Sequence, residues 1–177
     1  MNVAVAKNET GRPLSDSFAI ARDRLPGAAE ARRAAFESYE RTGLPNRRIE
    51  DWKYTDLRAL MREAMPLAPA PDAAALTRAA NVAKAVAIAG ARRVVLVDGV
   101  LAPSLSDITG LEKGLSIRSL REVLEGTDAA LAAEALVSDA ANPMIALNGA
   151  MATDGVVVDV RDEPVGRVER RVRRLVG

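Results

Sequence analysis

Along this chain the spacing of apolar positions changes near residue 91. Before that point it is helical. Ser15 or Asp16 is suited to cap a first short helix. Ala29 to Thr42 sets Ala35, Phe36 and Tyr39 on one side, with Arg32, Arg33, Glu37 and Glu40 in polar positions, and Gly43 ends the run. A loop from Leu44 to Lys53 leads to a third helix, with Thr55 or Asp56 at its cap and Leu57, Leu60, Met61 and Met65 at helical spacing up to Pro66. Leu67 to Pro71 reads as an extended linker. Asp72 then caps an alanine-rich helix carrying Leu76, Ala80, Ala83 and Ala87.

Beyond residue 91 short β-branched runs take over. Arg93 to Val97 reads as a strand, and Asp98-Gly99 suits the positive backbone angles of a tight hairpin, so a strand pair is expected. Ser119-Leu120-Arg121-Glu122 fits a capping box for a helix to Leu124 or Glu125, closed by Gly126. Asn142-Pro143 opens another helix with Met144, Leu147 and Met151 on one face, and Asp154-Gly155 precedes the strand Val156 to Val160. The expected organisation is a helical region over residues 1–91, a mixed strand and helix region over 92–154, and a final segment over 155–177.

Composition narrows the chemistry. The 177 residues contain no cysteine and no histidine, which removes disulfides, thiolate ligands, nucleophilic thiols and the commonest general base. A net charge of +1 argues against wholesale binding to nucleic acid or to anionic membranes. Met1 to Glu9 lacks the layout of a secretory signal, and Val82 to Val97 is too interrupted by Lys84, Arg92 and Arg93 to span a bilayer, so a cytoplasmic protein is expected. No phosphate-binding glycine pattern is present. Glu50, Asp51 and Asp56 lie in a stretch of mixed charge where pairing or solvation outweighs cation binding. Lys53 beside Tyr54 shows no sign of the burial that acid–base chemistry needs. A non-catalytic chain is expected.

The most informative stretch runs from Leu44 to Leu57. Its Trp52 is the only tryptophan, and Tyr54 one of two tyrosines, in a chain with 3% aromatic residues. The preferred reading packs Trp52 and Tyr54 under the loop while Arg47 and Glu50 pair to fix it. The other reading is a partner-docking patch of aromatic and cationic side chains.

The pattern Pro45-x-Arg47-x-x-Glu50-x-Trp52-Lys53-Tyr54-Thr55 resembles the signature near the start of SufD, and more loosely of its paralogue SufB, in the SUF system of iron–sulfur cluster assembly. Two further stretches resemble that family in the same order. One is Val94 to Gly99 followed by Leu105-Ser106-Asp107 and Ser119-Leu120; the other is Leu147-Asn148-x-Ala150-x-x-x-Asp154-Gly155. The resemblance spans residue 15 to about residue 170.

It implies an α+β cytoplasmic scaffold: an N-terminal helical region, a small mixed region, and the truncated start of a right-handed parallel β-helix. The implied partners are SufB and the ATPase SufC. The cluster belongs to the full complex, with no cofactor bound by this piece. Pro45, Arg47, Glu50, Trp52, Lys53, Tyr54 and Thr55 then have a structural or partner-docking role. Family members continue past residue 177, so Val156 to Val160 and Val165 to Val176 correspond only to a first rung or two. Solenoids generally need about three stacked repeats, so the end is expected to be poorly ordered. Val156 to Val160 should pair with the Val94 to Val97 region or leave an open edge that promotes self-association. The arginine-rich tail from Arg167 reads as a solvated helix face or an unfinished strand rather than a nucleic-acid site. The alternative to the scaffold is an independent α/β adaptor that docks a partner on the Trp52 loop.

Overall fold

The computed structural model describes residues 12–136, 141–161 and 170–175. The chain divides into two compact units, one of residues 1–67 and 136–152, the other of residues 68–135 and 153–177.

The first unit is helical. Helix α1 (Arg12–Ala21) is followed by α2 (Ala29–Thr42), the single turn α3 (Leu57–Leu60) and, after the chain returns, a helix over Pro143–Met151. The expected span of α2 is met residue for residue. Gly43 ends it at φ +67°, a conformation that favours glycine, and its amide bonds the Tyr39 carbonyl at 2.7 Å. The expected cap at Ser15 or Asp16 is corrected: both lie inside α1, and the Ser15 hydroxyl bonds Glu40 at 3.2 Å. Asp56 does cap α3 through the amides of Arg58 and Ala59, yet the helix stops at Leu60 rather than at Pro66. Leu57 and Met61 reach the core while Leu60 and Met65 face solvent, so burial supports only one turn.

The core of this unit joins Leu14, Phe18, Phe36, Tyr39, Leu44, Ala146, Leu147 and Ala150. Phe18 stacks on Phe36 with ring centroids 4.1 Å apart. The Pro143–Met151 helix starts as expected, with the Asn142 side chain accepting from the amides of Met144 and Ile145. It packs closely because of Gly149: a Cβ there would stand 2.7 Å from the Leu136 carbonyl oxygen.

The second unit begins with α4 (Ala73–Ala85), capped as expected by Asp72, which accepts from the Ala75 amide at 2.7 Å. A hairpin of β1 (Leu96–Val97) and β2 (Val100–Leu101) follows, with Asp98 at φ +51° and Gly99 at φ +81° in its two-residue turn. Val97 and Ala102 bury against Ala75, with Leu76, Ala79, Val95 and Leu105 around them. Next come β3 (Leu115–Ser119), α5 (Leu120–Leu124) and α6 (Ala129–Leu136), whose last residue falls in the first unit; the Pro143–Met151 helix is accordingly α7. Ser119 caps α5 as expected by accepting from the Glu122 amide at 3.3 Å.

Strand β4 (Val156–Arg161) is the middle of a three-stranded sheet in the order β3-β4-β5, with β5 at Arg170–Leu175. The α+β class stands, but two expectations about this strand are corrected. Both neighbours run antiparallel, pairing Ile117 with Val158 and Val158 with Arg173, so no β-helix rung is present among the described residues. Rungs of a parallel solenoid would need parallel neighbours. Likewise β4 neither pairs with Val94 to Val97 nor leaves an edge open, since β3 and β5 satisfy both sides. The tail readings split: Arg170–Leu175 is a strand, whereas Val165 and Val176, with the expected disorder over 162–169 and 176–177, lie outside the described residues, as does the Met1 to Glu9 opening.

Candidate functional site

The Trp52 loop is held shut at its base. Leu44 and Pro45 are buried where the chain leaves α2. The Pro45 carbonyl accepts the Leu57 amide at 3.1 Å, and Arg58 Nε donates to the Leu44 carbonyl at 3.0 Å, so entry and exit are bonded side by side. Inside the loop the Asn46 side chain accepts the Arg48 amide at 2.9 Å, a side-chain turn that starts the reversal. One turn of tighter helix at Glu50–Trp52 follows, with the Thr55 amide closing on the Trp52 carbonyl at 2.8 Å. These bonds fix a short rigid platform.

The side chains on that platform differ from the packing expectation. Tyr54 is 88% exposed, and Trp52 is only half-buried. Arg47 is exposed and Glu50 does not pair with it. Glu50 instead accepts from Lys53 Nζ at 2.7 Å, and the same ammonium lies 5.4 Å from the Tyr54 ring centroid. Spacing explains the change: Glu50 and Lys53 sit one helical turn apart and meet on one face. Thr55 is half-buried at the loop exit. The structure therefore gathers Glu50, Lys53 and Tyr54 and leaves Arg47 apart from them. Exposed Ile49 adds apolar surface.

Asp56 is committed to its cap and Glu50 to Lys53, so these carboxylates do not converge. Among the described residues no cluster of three metal-ligating side chains occurs, and no helix is long and apolar enough to cross a membrane. Tyr39, under the loop's origin, has its hydroxyl buried without a hydrogen-bond partner among the described residues. Burial pushes its pKa above the ordinary tyrosine value, the Glu40 charge adds to this, and Arg58 opposes both.

Among the described residues three charged side chains, Arg32, Asp154 and Asp159, are buried, and the first two fasten elements together. Arg32, expected on the polar side of α2, is 2% exposed. Its guanidinium donates to the carbonyls of Pro26 at 2.7 Å, Gly27 at 3.0 Å and Ala150 at 3.1 Å, tying α2 to the end of α7. The signal was present in the spacing, because residue 32 precedes Phe36 by four and shares its stripe. Asp154 is 7% exposed. Its carboxylate accepts from the Leu101 amide at 3.1 Å, the Ser119 hydroxyl at 2.7 Å and the Arg121 amide at 2.9 Å. It thus joins the hairpin to the β3–α5 junction and gives Asp154-Gly155 a structural purpose beyond a turn.

Comparison with known proteins gives one family: the SufBD protein N-terminal region matches residues 16–172. No curated protein and no solved structure matches the chain.

Proposed function

We propose, since this chain belongs to the family of SufBD protein N-terminal regions and so to the SUF system of iron–sulfur cluster assembly, that it is the N-terminal scaffold region of a SufD-like subunit. Members of the family act in a complex with SufC and are generally non-catalytic scaffolds. The finer reading adds SufB as the second partner, a cytoplasmic location, and the Trp52 loop as a docking surface built from Pro45, Arg47, Glu50, Trp52, Lys53, Tyr54 and Thr55. A cysteine-free chain fits a subunit that holds partners while the cluster is carried elsewhere in the complex.

The observation that carries the docking role is the exposure of Tyr54 on a loop whose backbone is fixed at both ends. A rigid exposed aromatic beside a cation is the kind of group that dominates interface energetics. Co-expression of the tagged chain, continued by the rest of a SufD-like subunit, with SufB and SufC tests the reading. The expected result is copurification that Tyr54→Ala weakens at unchanged thermal stability. Copurification indifferent to Tyr54→Ala would remove the loop from the interface, and absence of copurification would remove the scaffold reading for this chain.

A further inference from the structure

The strand that opens the β1–β2 hairpin is longer than its ladder. Val95 bonds the Ala102 amide through its carbonyl at 2.9 Å and the Ser106 hydroxyl through its amide at 2.9 Å. Arg93 bonds the Asp107 carboxylate through its amide at 2.9 Å and the Asp107 amide through its carbonyl at 2.7 Å. Residues 93, 95 and 97 thus spend their backbone groups on one side. By the alternation of an extended chain, residues 92, 94 and 96 present theirs to the other. Among the described residues no hydrogen bond uses the backbone amide or carbonyl of Arg92 or Val94.

Features that normally blunt such an edge are missing here. No proline interrupts residues 92–97. Both guanidinium groups are tied back onto the chain, Arg92 to the Gly110 carbonyl at 2.6 Å and to Glu112, Arg93 to the carbonyls of Ala83 and Leu105. Alongside lies a cleft of about 480 Å³ bordered by Val86, Ile88 and Val94, with Val86 65% and Ile88 75% exposed. An open strand edge next to uncovered aliphatic surface asks for another strand.

We infer that this edge pairs with the same edge of a second copy of the chain, antiparallel about Val94. The charge pattern selects that occupant. The strand is basic at its start, Arg92-Arg93, and acidic at its end, Asp98. Antiparallel self-pairing lays each basic end beside the partner's acidic turn, whereas parallel pairing would align arginine with arginine. Centred on Val94, the register sets Arg92 opposite Leu96 and Arg93 opposite Val95, so no like charges face each other. The outward-facing residues 92, 94 and 96 then meet only one another, which satisfies every open group in the segment.

A chain without cysteine permits a direct test. At the two-fold position the Cα atoms of a hydrogen-bonded antiparallel pair are ~5.5 Å apart, inside disulfide range. Under mild oxidation Val94→Cys should form a disulfide dimer at least about tenfold faster than Ile20→Cys, an exposed control in the other unit, because pairing raises the local thiol concentration. Sedimentation equilibrium of the unaltered chain should show mass rising towards the dimer with concentration. Val94→Lys, which sets like charges opposite each other at the two-fold, should remain monomeric with an unchanged circular dichroism spectrum. Equal cross-linking rates for the two cysteine variants, a monomer at every concentration, or a Val94→Lys dimer as strong as the original would each overturn the inference. So would capture of a SufB or SufC strand by this edge in place of a second copy.

Discussion

Removing the Asp154 carboxylate should unfasten the second unit. The side chain accepts three hydrogen bonds, two on Oδ1 from the Ser119 hydroxyl and the Arg121 amide, and one on Oδ2 from the Leu101 amide. A hydrogen bond to a charged acceptor contributes about 1.5–3 kcal/mol net, and orphaned buried donors add to the loss. The Leu101 contact is buried, whereas the Ser119 and Arg121 donors are partly accessible and can turn to water, so the full sum is not reached. Asp154→Ala should therefore cost about 3 kcal/mol, more than a hundredfold in the folding equilibrium. Asp154→Asn should cost roughly half as much, since an amide keeps one acceptor oxygen but must point its NH2 at a donor on the other side. Urea unfolding followed by circular dichroism gives the magnitudes, and amide exchange at Leu101, expected to accelerate in both variants, localises them. A loss below about 1 kcal/mol for Asp154→Ala, or Leu101 exchange left unchanged, would refute the reasoning.

Three further outcomes follow from the first unit. Arg32→Met keeps the apolar stem but abandons the carbonyls of Pro26, Gly27 and Ala150, so it should lower stability by about 2–3 kcal/mol in the same unfolding assay. Gly149→Ala forces a methyl towards the Leu136 carbonyl and should cost about 1–3 kcal/mol, read as a lowered melting temperature; a neutral result would mean that α7 can shift freely. Tyr39 stays neutral more readily folded than unfolded, because its folded pKa is raised. The stability it contributes is complete below pH 10 or so and is lost as pH rises through the folded value. Tyr39→Phe should flatten that alkaline decline and, by deleting a buried hydroxyl with no described partner, leave stability at neutral pH equal or about 1 kcal/mol higher.

Local chemistry was legible where one residue type has one structural use. Gly43 after α2, Asp72 before α4, Asn142-Pro143 before α7 and Asp98-Gly99 in the hairpin all act where the pattern places them. Strand β3 was not legible, because each residue of Leu115–Ser119 is half-buried and the apolar–polar alternation that marks a strand against a core is blurred. The eight-residue helix α6 is nearly all alanine and leucine, so its sequence shows no polar face to reveal the period, although Asp128 marks its start by accepting the Leu131 amide at 2.9 Å. The direction of β4 depended on finding β3, a pairing over about forty residues that no local signal encodes. The loop motif was readable as a pattern, yet its geometry was not: Tyr54 exposure and the Glu50–Lys53 pair arise from the turn at Glu50–Trp52, which composition does not announce.

The scaffold account is tested most directly by mapping contacts of the chain within a SUF assembly. The chain has four lysines, Lys7, Lys53, Lys84 and Lys113, so amine-reactive cross-linking with mass spectrometry reads few and separate positions. The account predicts that Lys53, on the rigid loop beside Tyr54, cross-links to SufB or SufC when the proteins are purified together. Assembly with cross-links only from the other three lysines would contradict the docking role of the loop, and failure to assemble would contradict the scaffold role itself.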